Sequence, residues 1–173
     1  MLNLFIMRHA NCDFNEDIVN DFNREISNEG KKKSNLVLKE LIKKKIKFDI
    51  VHTSPSKRTL QTLEIFKQQY KFNNTQIYED HNLYDGSLEN YLLKLSNVKN
   101  HYKNILIITH EPNIYWLVDY FNNQNDKKYQ NFLKRKFLSS SVLKLFFNVD
   151  SWSDISGTNC NFDFFLDTNN LIS

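Results

Sequence analysis

Short apolar runs alternate along the chain with longer segments whose apolar positions recur every three or four residues. Leu2–Met7 has the length and content of a buried strand, Phe48–His52 and Asn104–Ile108 are further short apolar runs, and Gln76–Tyr78 reads as a short strand. Asn28–Ile46 carries a stripe of Leu38, Leu41 and Ile42, with lysines 31–33 and 43–45 crowding its ends. Ser56–Tyr70 turns Leu60, Leu63, Phe66 and Tyr70 to one side. Ser87–Leu95 places Leu88, Tyr91, Leu92 and Leu95 at helical spacing, and Pro112–Phe121 repeats it at Ile114, Leu117, Val118 and Phe121. Each of these segments reads as an amphipathic helix. Pro112 suits a first helical turn, where the missing N–H costs nothing. Strands that alternate with helices predict an α/β domain with a largely parallel central sheet. The last third breaks the pattern. Ser141–Asn148 and Asn161–Leu166 read as strands separated by a polar stretch containing Gly157, which predicts a hairpin at the sheet edge. The aromatic residues of this segment are assigned to core and edge.

Composition sets bounds on this picture. The 173 residues fit one domain with a substantial core, and 40% hydrophobic content rules out a disordered chain. A net charge of +3 gives no footprint for nucleic acid and is compatible with an anionic substrate. Cys12 and Cys160 form neither a disulfide framework nor a CxxC metal knuckle. No apolar run reaches the ~18 residues of a membrane span, and residues 1–6 are too short for a signal-peptide core. The expectation is a cytoplasmic protein with neither nucleic-acid nor membrane partners.

The chemistry gathers at the carboxyl ends of the predicted strands. Arg8 and His9 follow the first, Ser54-Pro55-Ser56-Lys57-Arg58 the second, and Thr109-His110-Glu111-Pro112 the Asn104–Ile108 strand. Ligands of open α/β sheets bind at that edge, where helix N-termini add their own attraction for anions. Singly, each residue reads as an ordinary packed or surface side chain. Together, two histidines and two arginines at one sheet edge make an anion pocket. No HExxH, paired aspartate or Cys/His cluster accompanies them, so no metal site is expected.

The stretch Phe5-Ile6-Met7-Arg8-His9-Ala10 resembles the Arg-His-Gly signature of the histidine phosphatase superfamily, which includes the phosphoglycerate mutases. Thr53-Ser54-Pro55-Ser56-Lys57-Arg58-Thr59-Leu60-Gln61-Thr62 resembles its second motif, and Ile107-Ile108-Thr109-His110 its second-histidine motif. Order and spacing are similar to the short SixA-type phosphohistidine phosphatases, as is Arg24-Glu25-Ile26-Ser27-Asn28-Glu29-Gly30. The resemblance spans roughly residues 1–120. It implies a single histidine phosphatase domain over 1–173, with a three-layer α/β/α, phosphoglycerate mutase-like architecture and helices on both faces of the sheet.

The resemblance also implies roles. His9 is the nucleophile that forms a phosphohistidine intermediate, Arg8 and Arg58 hold phosphoryl oxygens, and His110 adds a further donor. Arg24 is a weaker phosphate or substrate contact, and Asn82 and His81 are substrate-binding candidates. No metal or cofactor is required. Two departures from the family pattern stand out. Ala10 replaces the usual Gly, which matters if the turn needs a positive φ. Asn82 stands where many members carry a general-acid Glu, while Glu79, Asp80, Asp85 and Glu111 read as loop charges. A missing acid suits a phosphoramidate, whose leaving nitrogen is easily protonated, better than an alkyl ester. The leading expectation is a phosphohistidine phosphatase acting on a phosphorylated protein such as a histidine phosphotransfer domain. The alternatives are a phosphomonoesterase for a small phosphorylated metabolite and a non-catalytic phosphoprotein-binding module.

Overall fold

The computed structural model of the chain describes residues 1–13, 20–70, 72 and 74–171. Strands β1 (Leu2–Arg8), β2 (Ile50–Thr53), β3 (Gln76–Glu79), β4 (Asn104–Thr109), β5 (Val142–Phe147) and β6 (Cys160–Leu166) form one sheet in the order β3-β2-β4-β1-β5-β6. β3, β2, β4 and β1 are parallel. β5 runs antiparallel to β1, and β6 antiparallel to β5 at the edge, the hairpin that the two strand-like segments of the last third predict.

The helices are α1 (Asn28–Lys43), α2 (Lys57–Gln69), α3 (Leu88–Ser96), α4 (Asn113–Tyr120) and α5 (Lys127–Leu133). Successive side chains of a strand point to opposite faces, so the central strands feed two cores. Leu2, Leu4 and Ile6 of β1 join Ile105 and Ile107 of β4 under α3, α4 and α5. Phe5 and Met7 join Leu106 and Ile108 under α1 and α2. Strands buried on both faces read as unbroken apolar runs, which is why β1 and β4 stand out in the sequence. The result is the expected three-layer α/β/α arrangement with helices on both faces.

Several details differ from the sequence reading. α1 stops at Lys43 rather than Ile46, because Lys45 takes a left-handed conformation (φ 54°) and the Ile46 N–H returns to the Leu41 carbonyl at 3.2 Å. Ile42 is 42% exposed, and Val37 takes its place beside Leu38 and Leu41. Pro112 caps α4 from outside rather than lying in its first turn. α5 is unpredicted, because only Tyr129 and Phe132 mark its buried side. The C-terminal aromatics are core and edge: Phe147, Trp152 and Phe165 are buried, and the Phe165 ring lies 4.9 Å from Phe132 and 5.0 Å from Phe137. Among the described residues no helix is long and apolar enough to cross a membrane.

Candidate active site

Strand register builds the site. Arg8 of β1 lies opposite Thr109 of β4, and Thr53 of β2 opposite Ile108. Three strands therefore end together and deliver His9, His110 and the Ser54–Ser56 turn side by side. Ser56 then starts α2, whose second residue is Arg58. Arg8, His9, Asn11, Cys12, Asp21, Arg24, Arg58, His110, Glu111 and Ser139 line a cavity of about 330 Å³. Five of the seven residues singled out in the sequence, His9, Arg8, Arg58, His110 and Arg24, meet there.

Hydrogen bonds fix the protonation of His9. Its Nδ1 lies 2.6 Å from the Ala10 carbonyl, which can only accept, so Nδ1 carries the proton. The Nε2 lone pair faces the cavity and accepts from Arg58 Nε at 3.2 Å. Burial pushes the His9 pKa down to about 3. The guanidinium groups of Arg58 and Arg8 and the ring of His110 add to this, against the opposing pull of the Ala10 carbonyl. His9 is thus a neutral imidazole whose unprotonated Nε2 is held by Arg58, the protonation state a nucleophile needs.

Arg58 is almost wholly buried and spends its donors on four partners. Besides His9 it meets the Asp21 carbonyl (Nη1, 2.7 Å), the Asp21 carboxylate (Nη2, 2.9 Å) and His110 Nδ1 (Nη2, 3.3 Å). His110 donates from Nε2 to the Tyr84 carbonyl at 3.0 Å, which leaves Nδ1 as its acceptor. Burial lowers its pKa, the Tyr84 carbonyl opposes this, and Arg58 lowers it further. The two histidine rings lie 6.3 Å apart. Arg8 binds the Phe137 carbonyl (2.7 Å) and Glu111 (2.8 Å) through Nη1, while its buried Nε has no partner among the described residues.

The loops that carry these groups are pinned from behind. The Ser140 N–H donates to the carbonyls of Arg8 (3.1 Å) and His9 (3.0 Å) from a left-handed residue with φ 64°. The Ala10 N–H donates to Thr62 Oγ1 at 2.9 Å, and the Ile26 N–H to Gln61 Oε1 at 2.8 Å. The Gln-Thr pair of the second motif therefore holds the loops bearing His9 and Arg24. Ala10 is fully buried and is not among the residues with positive φ, so its Cβ meets no backbone penalty.

Other expectations resolve differently. Asn82 and His81 are exposed and do not line the cavity. The Asn82 N–H is capped by Asp80, and His81 stacks on Phe22 at 6.3 Å. Glu111 is more than a loop charge, since it pairs with Arg8 in the cavity. Asp21 was invisible in the sequence. Its carboxylate bridges Arg58, Arg24 (3.2 Å) and the Tyr84 hydroxyl (3.1 Å). Partial burial opposes ionisation of Asp21, but Arg58 and the hydrogen bonds from Arg24 and Tyr84 outweigh it and hold the carboxyl below its usual range. Cys12 lies in the cavity with Sγ 4.0 Å from His9 Nδ1, and both cysteines are free thiols. Among the described residues no cluster of three or more His, Cys, Asp or Glu side chains is placed to hold a metal ion.

A neutral histidine held by a guanidinium, with a second arginine and a second histidine around it on a sheet edge, makes a pocket suited to an anion. The family model described as the histidine phosphatase superfamily (branch 1) matches residues 4–91, half of the chain, which includes Arg8, His9 and Arg58 but not His110. The protein belongs to the histidine phosphatase superfamily. No curated protein matches the sequence. Solved structures share the fold at low identity. A protein assigned as the phosphohistidine phosphatase SixA from Nakamurella multipartitia has a TM-score of 0.80 and 19% identity over 96% of this chain and 95% of its own. The protein histidine phosphatase SixA complexed with tungstate has a TM-score of 0.79 and 22% identity over 98% and 99%. A phosphoserine phosphatase from Entamoeba histolytica, in complex with 3-phosphoglyceric acid, has a TM-score of 0.63 and 15% identity over 99% and 100%.

Proposed function

We propose that the protein is a phosphohistidine phosphatase of a single domain, with a phosphorylated protein such as a histidine phosphotransfer domain as its substrate. The observation that carries this reading is the pairing of a neutral His9, its Nε2 lone pair facing the cavity, with carboxylates that are already engaged. A phosphoryl group that enters takes over the Arg58 Nε–H now given to His9, which frees the lone pair. Arg8, which also lines the cavity, supplies a second guanidinium. His9 Nε2 attacks phosphorus in line. The N–P bond to His9 forms as the substrate N–P bond breaks, and the leaving imidazole keeps the electron pair and takes a proton from solvent water. Water then attacks the phosphoenzyme, inorganic phosphate departs and His9 is regenerated. Arg8, Arg58 and His110 face the charge that spreads over the oxygens.

The preference for P–N over P–O cleavage rests on proton supply. An alkoxide leaving group needs a positioned acid, whereas an imidazole does not. Asn82 stands outside the cavity, Asp21 is held ionised by Arg58, and Glu111 is paired with Arg8. A second reading, hydrolysis of a small phosphomonoester, draws on the presence of these carboxylates and of Arg24 in the cavity. The unstrained Ala10 removes one motive for a non-catalytic binding module. The test compares kcat/KM for phosphoramidate and a phosphohistidine protein with that for a sugar phosphate and phosphoserine. The P–N substrates are expected to be favoured by at least tenfold, about 1.4 kcal/mol in the transition state. Preference for either alkyl ester transfers the assignment to a phosphomonoesterase.

A further inference from the structure

The outer face of α4 is apolar although it meets water. Ile114, Leu117 and Val118 are buried, while Tyr115, Trp116 and Tyr120 stay 40–45% exposed. Three of the eight large hydrophobic side chains that remain exposed among the described residues therefore sit on this one helix of eight residues. A helix at the surface normally keeps its outer face polar. Single exposed apolar residues are ordinary, whereas a cluster of them marks a contact site. Trp116 and Tyr120 also line a groove of about 410 Å³, which Ser87 and Leu88 at the start of α3 complete. Asp119, exposed, is the charge in its lining.

Both walls of the groove run on into the catalytic cavity. α4 starts two residues after Glu111, which lines that cavity, and the Trp116 N–H donates to the Pro112 carbonyl at 3.2 Å. The Tyr115 hydroxyl donates to the carboxylate of Glu111, the partner of Arg8. On the other side, the Tyr84 carbonyl accepts from His110, and Ser87 follows three residues later. The catalytic cavity holds about 330 Å³, near the lower limit of small-molecule sites, so most of a protein substrate must lie outside it. A protein docked over the cavity covers about 800 Å² of this chain, a disc roughly 16 Å in radius. Trp116, one helical turn beyond Pro112, falls inside that disc. A small phosphorylated metabolite enclosed by the cavity makes no demand on this face.

We propose that the Trp116–Tyr120 face of α4 is the docking surface for the phosphorylated protein substrate. The partner presents an apolar side chain to Trp116, Tyr120 and Leu88, and a lysine or arginine to Asp119. The inference rests on the reading of the substrate as a phosphohistidine protein and names the surface that selects it. Trp and Tyr are among the residues whose loss weakens protein interfaces most. The test follows steady-state kinetics of the parent, Trp116→Ser, Tyr120→Ser and Asp119→Lys on a phosphorylated histidine phosphotransfer domain and on phosphoramidate. For the protein substrate, kcat/KM should fall about tenfold in the two aromatic variants, through KM, and about threefold in Asp119→Lys, the scale of an exposed ion pair. Phosphoramidate turnover should be unchanged in all three. The docking proposal falls if the aromatic variants keep the parental KM for the protein, or if they lose phosphoramidate turnover to the same extent. It falls too if sedimentation shows a parent dimer that Trp116→Ser dissolves, since a second copy then occupies the face. A parent that turns over phosphoramidate but not the phosphorylated domain instead removes the protein-substrate reading, and the docking surface with it.

Discussion

His9 and Arg58 form a pair in which each sets the other's state. Arg58 gives its Nε–H to the lone pair proposed to attack phosphorus, and its charge helps keep that imidazole neutral. Its other donors order His110 and Asp21. A lysine in this place has no planar fork and cannot serve these partners at once. Arg58→Lys is therefore expected to lower kcat on phosphoramidate by about 10²–10³-fold, the scale of removing one preorganised donor from a transition-state charge. Steady-state kinetics on protein with a native circular-dichroism spectrum checks this. A variant within about threefold of the parent would remove Arg58 from the chemical step. At this scale the sequence was legible where residue type and strand-end position coincide, as at Arg8, His9, Arg58 and His110. It was silent on Asp21, which no predicted element positions and which reaches Arg58 only through a short 3-10 turn capped by Asn20.

Among the elements, α1 acts on the site from outside it. Its N-cap Ser27 accepts from the Gly30 N–H at 2.9 Å, and Gly30 packs directly on the loop after His9. A Cβ on Gly30 would lie 2.4 Å from the Asn11 carbonyl oxygen and 2.9 Å from its nitrogen, both backbone atoms that cannot turn aside. Alanine raises helix propensity by about 1 kcal/mol over glycine, but overpacking of this kind costs roughly 1–3 kcal/mol and moves the loop that carries His9. Gly30→Ala should therefore lose stability and activity together, read by thermal unfolding and turnover. A more stable, fully active variant would show that the contact does not constrain the loop. The helices and strands themselves were legible because the central strands are apolar throughout and four helices have clear stripes. α5 escaped because seven residues with two buried aromatics carry too little periodicity. The left-handed Ser140, which clamps the His9 loop from β5's side, has no sequence signature, since Gly or Asn is the usual occupant of that conformation.

For the molecule as a whole, the buried histidines set the response to acid. His9 and His52 titrate far below their ordinary value, and His110 is shifted the same way. The unfolded chain binds protons at these sites near pH 6.5 while the native protein does not. Stability from this source is fully present above about pH 6.5 and is lost as pH falls toward 4, by about 1.4 kcal/mol per pH unit for each histidine involved. Tm measured between pH 7 and 4 should fall steeply, and less steeply in His52→Leu by one proton's worth of slope. Equal slopes would mean that His52 is protonated in the native state. The same burial that makes the fold acid-sensitive keeps His9 neutral at neutral pH.

The phosphoenzyme proposed on His9 is where these scales meet. The protein is mixed with labelled phosphoramidate, quenched in base and digested, and the labelled peptide is sequenced by mass spectrometry. The expected result is an acid-labile, base-stable label on His9 that forms at least as fast as turnover and is absent, with turnover, in His9→Ala. Turnover that persists in His9→Ala, or a label carried by another residue, would contradict the assignment of His9 as the nucleophile.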